Sequence, residues 1–217
     1  MKTTICLIRH GETPWNIERR IQGHTDIGLN NAGVDQAQAA AKWLSTNHRE
    51  ISQIYSSDLS RAWLTATLIG DALKISPIPD SHLRERRYGN FEGLTYQQAQ
   101  DQFPAEYVSF ETRIPDYAIP GGGESLNDLF TRITQSLQKI MGAHPGETLA
   151  IVCHGGVLDI VNRFVRNTPL NQKRDFEVPN AGLNWIRYQP KETPSWAILD
   201  WGNTEHLAKQ ALDELPS

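Results

Sequence analysis

Three clusters of the sequence combine arginines, histidines and glycines in a way that suits the binding of an anion. They are Arg9-His10-Gly11-Glu12-Thr13, Ser56-Ser57-Asp58-Leu59-Ser60-Arg61 and His154-Gly155-Gly156. Arginine presents a planar fork that matches two phosphate oxygens, and glycines beside the histidines let a bulky anion approach the backbone. A neutral imidazole can attack phosphorus and form a covalent phosphohistidine, which divides one difficult displacement into two easier ones. The two arginines and two histidines therefore predict a pocket for a phosphoryl group.

Such chemistry also needs a proton donor for the leaving group. The candidate is Glu85, in the segment Leu83-Arg84-Glu85-Arg86-Arg87-Tyr88-Gly89. A carboxyl group acts as an acid near neutral pH only where its surroundings favour the protonated form, and burial beside a phosphate dianion does so. The neighbouring arginines oppose that effect, and the sequence leaves the balance open. We expect Glu92, close by in the chain, to fix loop structure instead.

Several other basic and imidazole side chains of this region have either a structural role or a place at the edge of the site. Arg84, Arg86 and Arg87 fit an ion-paired surface, or, for Arg86 or Arg87, a contact with an anionic substrate tail. His24 is expected at the surface, although the Gln22-Gly23-His24 loop could bring it to the edge of the pocket. Arg132 is expected to be a structural ion-pair partner.

Metal binding is the rival use of paired histidines. Arg9 and Arg61 would repel a cation, and the sequence offers no carboxylate–histidine spacing typical of a metal site. We therefore expect no metal and no other cofactor.

The elements that must position these clusters alternate between strands and helices. Apolar runs at 5–8, 51–55 and 149–153 predict buried strands, and later strands are expected at 183–188 and 195–201. Helices with apolar faces are expected between them, one starting near Asp58 and others after Ser125 and Cys153. This alternation predicts an α/β fold with helices on both faces of the sheet. Ligands collect outside the carboxyl ends of strands in such sheets, which is where all three clusters lie.

The segment at about 84–123 breaks this rhythm. It carries three prolines and a Gly121-Gly122-Gly123 run, and it is too long for an ordinary connection. Long insertions in compact domains are often lids over a site. We expect one domain over 1–217 with this segment as its lid.

Charge and composition limit the binding partners and the cellular location that we expect for the protein. The formal net charge of −4 gives no basic field that would attract nucleic acid. The apolar run at 5–8 is too short for a signal peptide or a membrane span, and we expect a cytoplasmic protein. Cys6 and Cys153 are expected to be buried and close together, so that their oxidation would perturb the site. An exposed edge strand or helix of such a sheet would support a homodimer.

The motifs as a set resemble the histidine phosphatase superfamily, in its phosphoglycerate mutase-like branch. Five blocks match in order over roughly residues 3 to 190. They are Leu7-Ile8-Arg9-His10-Gly11-Glu12-Thr13, Ser56-Ser57-Asp58-Leu59-Ser60-Arg61-Ala62, Leu83-Arg84-Glu85, Gly122-Gly123-Glu124-Ser125 and Val152-Cys153-His154-Gly155-Gly156. A lone Arg-His-Gly would be weak support, whereas five ordered blocks are strong.

The resemblance implies a three-layer α/β/α sandwich with a mostly parallel sheet, no metal, and a small phosphorylated metabolite as substrate. It also implies roles: His10 as nucleophile, Glu85 as proton donor, and Arg9, Arg61 and His154 holding the phosphoryl oxygens. The same resemblance makes Asn16, Gln22 and Gly155 further phosphate- or substrate-binding residues.

Within this branch, the same core serves hydrolysis or phosphoryl relocation. Mutases carry a lysine shortly after the acid motif, which aligns with Tyr96, and paired arginines, of which only Arg113 is present before Pro115. Their asparagine after the second His-Gly is Gly156 here. A metal-independent phosphomonoester hydrolase is therefore favoured, and a bisphosphoglycerate-dependent phosphoglycerate mutase is the alternative.

Overall fold

The computed structural model describes residues 1–208 and 211–213. Its centre is a six-stranded sheet in the order β3-β2-β4-β1-β5-β6. The strands are β1 (Thr3–Arg9), β2 (Ile51–Ser56), β3 (Ile78–Pro79), β4 (Thr148–Cys153), β5 (Leu183–Tyr188) and β6 (Trp196–Asn203). β3, β2, β4 and β1 are mutually parallel, whereas β5 is antiparallel to both of its neighbours, β1 and β6. The sheet is therefore mostly parallel, as predicted.

Helices cover both faces of this sheet. The described α-helices are α1 (Pro14–Ile17), α2 (Asn31–Asn47), α3 (Ser60–Leu73), α4 (Tyr96–Gln102), α5 (Pro104–Glu111), α6 (Leu126–Ala143) and α7 (Gly155–Arg166). The faces of the sheet are covered by α2 and α3 on one side and by α6 and α7 on the other, whereas α4 and α5 lie in the 84–123 segment. One core packs α2 and α3 against Cys6, Ile8 and Val152, and the other packs α6 and α7 against Leu7, Ile151 and Cys153. Successive strand residues point to opposite faces, so each buried strand serves both cores. The predicted three-layer α/β/α sandwich is confirmed.

Side-chain caps begin several of these helices. The Ser125 hydroxyl accepts from the Asp128 amide, and the Asp128 carboxylate accepts from the Ser125 amide in return. Thr95 and Gln98 form the same reciprocal pair at α4. Each pair satisfies two amides that a helix start leaves without an internal partner.

The insertion at 84–123 has a small core of its own. Phe91, Ala99, Tyr107 and Ile119 are buried there together with Ile21 from the loop after α1. Its two ends meet, since the Asn90 amide donates to the Pro120 carbonyl at 2.8 Å and the Glu124 amide to the Arg87 carbonyl at 2.8 Å. The insertion is thus a folded unit closed at its base.

The two cysteines lie on neighbouring strands of the sheet, and their side chains pack on opposite faces of it. Cys6 packs in the core beneath α2 and α3, and Cys153 in the core beneath α6 and α7. Both are fully buried, and burial raises the pKa of each thiol well above its usual range. The thiolate is the form that reacts with oxidants, so burial disfavours the expected oxidation of the two thiols, and their sensitivity to oxidants stays a prediction. None of the helices in the described part of the chain is long and apolar enough to cross a membrane.

Candidate active site

The carboxyl ends of β1, β4 and β2 lie side by side and bring the three charged clusters together. β1 ends in Arg9 and leads into His10, β4 leads into His154, and the loop after β2 leads to Arg61 at the start of α3. The His10 and His154 ring centres are 5.2 Å apart. One end of the sheet thus collects two imidazoles and two guanidinium groups.

His10 is held in the form that can attack an electrophile. Its Nδ1 lies 2.7 Å from the Gly11 carbonyl oxygen, and because a carbonyl only accepts, Nδ1 carries the proton and donates. The lone pair is therefore on Nε2. Burial is the main cause that lowers the His10 pKa well below 6.5, followed by the charges of Arg61 and Arg9. The ring is consequently neutral and nucleophilic at neutral pH.

The two arginines are buried and anchored by backbone carbonyls. Arg9 donates from Nη1 to the Val178 carbonyl at 2.7 Å. Arg61 donates to the carbonyls of Thr25 at 3.0 Å and Gly23 at 2.7 Å. Burial lowers the Arg61 pKa to about 10, so the group stays charged at neutral pH. No ion pair to a carboxylate is formed by Arg61 within the described residues, and its Nε lacks a hydrogen-bond partner there.

His154 completes the group. Its Nε2 lies 2.8 Å from the Ser57 hydroxyl, and its Nδ1 is buried without a hydrogen-bond partner among the described residues. Burial, then the Arg61 charge, lowers the His154 pKa well below 6.5. Buried polar atoms are nearly always satisfied in folded proteins. The unsatisfied His154 Nδ1 and Arg61 Nε are thus suited to a ligand that accepts hydrogen bonds.

Glu85 faces the same pocket and rests on the start of α7. Its Oε2 accepts from the Gly156 amide at 3.0 Å and its Oε1 from the Arg86 amide at 2.7 Å. A Cβ at position 156 would lie only 2.2 Å from Oε1. Gly156 is therefore needed for this approach, and it serves Glu85 rather than giving an anion access to the backbone. Gly11 has a packing reason as well, because a Cβ there would lie 2.2 Å from the Gly33 carbonyl oxygen.

Two side chains hold the backbone of Glu85. His24 donates from Nε2 to the Glu85 carbonyl at 2.8 Å, so it is half-buried beside the pocket rather than on the surface. Arg132 donates to the carbonyls of Arg84 and Glu85 and is paired with Glu124, an ion pair of the structural kind that we expected. The Gln22-Gly23-His24 loop indicated a position at the edge of the pocket as the alternative for His24, but a lone histidine in a loop carries no pattern that predicts its contact with Glu85.

Glu92 ties the two loops of the pocket together. Its carboxylate accepts from the backbone amides of His24, Thr25 and Tyr88 at 3.0–3.1 Å. It has the loop-fixing contacts that we expected.

The remaining expected site residues have different positions. Gln22 lines the phosphoryl pocket, together with Arg9, His10, Arg61 and Glu85. Gly155 is the first residue of α7, next to His154. Asn16 is buried, and its Oδ1 accepts from the Thr13 amide and hydroxyl as part of the cap of α1. Among the described residues, no group of three or more His, Cys, Asp or Glu side chains could hold a metal ion.

A second cavity, here called the arginine cavity, adjoins the phosphoryl pocket. Tyr88 and Tyr96 line both spaces. The arginine cavity is also lined by Arg86, Phe110, Leu126, Leu129, Arg113, Gly156, Asp159 and Arg174. Arg86 is buried, donates to the Glu124 carbonyl and lies over the rings of Tyr88 and Phe110.

Arg86 is buried and, unlike Arg84, Arg113 and Arg132, has no carboxylate partner among the described residues. Arg84 is paired with Asp58, and Arg113 with Asp159. The nearby Glu124 is engaged by Arg132. A buried guanidinium without a counter-ion is costly, so Arg86 is suited to an anionic ligand.

Comparison with known proteins gives a consistent set of relatives. The family model of the histidine phosphatase superfamily (branch 1) matches residues 5–204. The phosphoglycerate mutase-like protein 4 of Arabidopsis thaliana is 43% identical over 204 residues, covering 94% of this chain and 86% of its own. A metal-independent phosphoserine phosphatase of the same plant is 36% identical over 209 residues, covering 95% and 84%.

A solved structure agrees at the level of the fold and of the sequence. The phosphoserine phosphatase of Entamoeba histolytica, in complex with 3-phosphoglyceric acid, superposes with a TM-score of 0.82 at 25% identity. The match covers 94% of this chain and 98% of that one.

Proposed function

This chain belongs to the histidine phosphatase superfamily (branch 1), and from that premise we propose that it hydrolyses a small phosphomonoester through a phosphohistidine at His10, without a metal. The observation that carries the proposal is the state of His10. Its ring is neutral and buried between two arginines, and Nδ1–H is bound to Gly11 while Nε2 makes no hydrogen bond to described residues. Nε2 is the atom that attacks.

In the first step the phosphoryl group moves from the substrate oxygen to His10. The Nε2–P bond forms as the P–O bond to the alcohol breaks, and the leaving oxygen takes the proton of the Glu85 carboxyl group. Arg9, Arg61 and His154 receive the phosphoryl oxygens, which supplies hydrogen-bond acceptors for Arg61 Nε and His154 Nδ1. Fixed positive charge of this kind stabilises the transferring group without reorganisation.

In the second step water attacks the phosphohistidine. Glu85, now ionised, accepts a proton from the water as the new P–O bond forms and the N–P bond breaks. Inorganic phosphate leaves, and neutral His10 and protonated Glu85 are restored. The same carboxyl group thus serves as acid and then as base.

We further propose that the substrate carries an acidic group on its alcohol side, such as a carboxylate. Two relatives are phosphoserine phosphatases, one of them bound to 3-phosphoglyceric acid, and both of these small molecules contain a carboxylate. Arg86 supports this, because it is buried without a carboxylate partner in the described chain and lines the cavity next to the phosphoryl pocket. Gln22 at the pocket wall and Asn16 and Gly155 beside it are proposed as auxiliary binding residues.

The test is phosphate release from phosphoserine, 3-phosphoglycerate, α-ribazole phosphate and p-nitrophenyl phosphate, with EDTA present. We expect turnover that is indifferent to EDTA, higher kcat/KM on the two carboxylates, and a loss of at least about 10³-fold in His10→Ala. Near-normal turnover by that variant would refute the mechanism, and equal kcat/KM across the panel would refute the substrate class.

A phosphoglycerate mutase is the second candidate, because the relative with 43% identity is named mutase-like. Tyr96, at the position of the mutase lysine, lines both cavities, and Arg113 is engaged by Asp159. These contacts favour hydrolysis. Conversion of 3-phosphoglycerate to 2-phosphoglycerate, dependent on bisphosphoglycerate and without phosphate release, would instead establish the mutase.

Three further features are proposed with the function. The chain is one domain whose insertion at 84–123 acts as a lid, since Tyr88, Tyr96 and Phe110 from it line the two cavities. It works in the cytoplasm, in keeping with two unpaired cysteines. It forms a homodimer through β6, an eight-residue strand at the edge of the sheet; a monomeric mass in solution would reject that assembly.

A further inference from the structure

His206, Leu212 and Asp213 contact the 174–182 loop, which is the last part of the connection between α7 and β5. His206 donates from Nε2 to the Ala181 carbonyl at 3.1 Å. The Asn180 amide donates to the Leu212 carbonyl at 3.0 Å, and the Val178 amide to the Asp213 carboxylate at 2.9 Å. The loop is thus hydrogen-bonded at residues 178, 180 and 181 to residues 213, 212 and 206.

The other side of the same loop holds the catalytic pair. The Val178 carbonyl accepts from Arg9 Nη1 at 2.7 Å. The His10 carbonyl accepts from Asn180 Nδ2 at 3.1 Å and from the Ala181 amide at 3.2 Å. The position of this loop therefore helps to set the positions of Arg9 and His10.

Asp213 also contacts a side chain that lines the arginine cavity. Its carboxylate accepts from both Nη atoms of Arg174 at 3.2 Å, and the two side chains are only 13% and 5% exposed. Arg174 lines that cavity. One carboxylate thus contacts both the residue that anchors Arg9 and a cationic side chain on the leaving-group side.

We propose that Asp213 is a positioning residue that aligns the two halves of the site, Arg9 through Val178 and the arginine cavity through Arg174. The inference rests on the proposed function, and it assigns Asp213 no contact with the substrate. Arg9 approaches the phosphoryl group of the substrate, and Arg174 lies on the leaving-group side. Small displacements of such groups have large kinetic costs, so Asp213 affects turnover through the positions of these two arginines.

Two substitutions separate the two connections. Asp213→Asn keeps a side-chain oxygen that can accept from the Val178 amide, but it removes the charge that holds Arg174. Asp213→Ala removes both. The first variant should therefore alter mainly recognition of the acidic group, and the second should also alter the phosphoryl side.

The experiment measures kcat and KM for phosphoserine and for p-nitrophenyl phosphate, which has no carboxylate. In Asp213→Asn, we expect kcat/KM to fall about tenfold on phosphoserine, through KM, and about twofold on p-nitrophenyl phosphate. In Asp213→Ala, kcat on p-nitrophenyl phosphate should fall about tenfold as well. Asp213→Glu should recover part of the phosphoserine loss.

The matched control is Asp175→Asn, which removes a carboxylate from the 174–182 loop itself. Asp175 is paired with Arg166 at the surface, where its side chain is 52% exposed, and this variant should match the wild type on both substrates. Thermal unfolding of every variant shows that the assays are made on folded protein. Equal losses on the two substrates in Asp213→Asn, or no loss in either Asp213 variant, would overturn the inference.

The proposed function fails differently. A wild-type protein that releases no phosphate from either compound rejects the hydrolase itself. A wild type that hydrolyses p-nitrophenyl phosphate without preferring phosphoserine rejects only the substrate class. In that case the kcat of Asp213→Ala on p-nitrophenyl phosphate still decides the Val178 connection, and an unchanged value overturns it.

Discussion

The phosphoryl pocket and the arginine cavity lie side by side, yet they are built in different ways. The pocket is made mainly where β1, β4 and the loop after β2 end, so that Arg9, His10 and His154 stand on the rigid centre of the sheet. The cavity takes its arginines from the insertion and from the loop before β5, and Arg86 among them packs on the rings of Tyr88 and Phe110. Rigid elements hold catalytic groups more precisely than loops do. We infer that the pocket carries the chemistry common to all substrates and the cavity carries the choice among them.

After the loss of His10 itself, the largest expected effect comes from Glu85, which lies where the two regions meet. Glu85→Gln keeps the shape but cannot donate the proton in the same way, so turnover of phosphoserine should fall about 10²–10³-fold. p-Nitrophenyl phosphate should lose far less, because its leaving group barely needs an acid. Steady-state kinetics on both compounds checks this, with Glu50→Gln as the control at an exposed site before β2. Equal losses would remove Glu85 from the role of acid.

A second substitution tests the cavity alone. Arg86→Met keeps much of the apolar contact with Tyr88 and Phe110 but removes the buried charge, so KM for phosphoserine should rise about tenfold or more. kcat/KM for p-nitrophenyl phosphate should fall by less than about threefold. Arg87→Met, at the exposed neighbouring position, is the matched control. If Arg86→Met slowed both substrates alike, the division of labour between the two regions would be wrong.

A third change moves Glu85 without altering it. In Gly156→Ala, the new Cβ meets Glu85 Oε1 and displaces the carboxyl group. We expect kcat on phosphoserine to fall about tenfold. The thermal midpoint should hardly change, because alanine favours a helix. Gly142→Ala on α6, where a Cβ meets nothing within 4 Å, is the control. A wild-type kcat in Gly156→Ala would show that the Glu85 contact with α7 is not needed for turnover.

The smallest effect concerns pH. Burial and the arginine charges lower the pKa of His10 and of His154 below 6.5. The acid limb of kcat/KM should therefore lie below pH 6.5, since neutral His10 is the attacking form.

The same two pKa shifts predict how the free energy of unfolding depends on pH. Below pH 6.5 the unfolded chain binds protons at these histidines while the folded chain does not, so the free energy of unfolding falls as the pH falls. The slope is about 1.4 kcal/mol per pH unit for each histidine until the folded-state pKa is reached. Denaturant titrations at several pH values test this, and a stability that rises on acidification from pH 6.5 would contradict it.

The difference between the two regions also explains what the sequence predicts. His10 and His154 follow buried strands directly, and Arg61 lies in the first turn of α3, so local patterns placed them at one edge of a parallel sheet. The three layers followed from the alternation of strands and apolar helix faces. Three elements with short or weak patterns were not predicted: α1 has only four residues, β3 is a two-residue strand with a proline, and α5 lies in the insertion without a clear apolar period.

The contacts of the side chains that line the arginine cavity could not be predicted from local sequence patterns in the same way. Whether Arg86 is ion-paired or open to a ligand depends on which carboxylates its neighbours take, and Glu124 is taken by Arg132 while Asp159 is taken by Arg113. Those choices are made by packing between distant segments. The contacts of Asp213 with Val178 and Arg174 are of the same kind, since they join segments 35 and 39 residues apart in the chain.

The most direct test of the central claim is to trap the covalent intermediate. The protein is quenched in base during turnover of phosphoserine, digested, and searched by mass spectrometry for a peptide that has gained one phosphoryl group. The account predicts that group on the His10 imidazole in the wild type and its absence in His10→Ala. A phosphoryl group on another side chain, or turnover without any phosphoenzyme at His10, would contradict it.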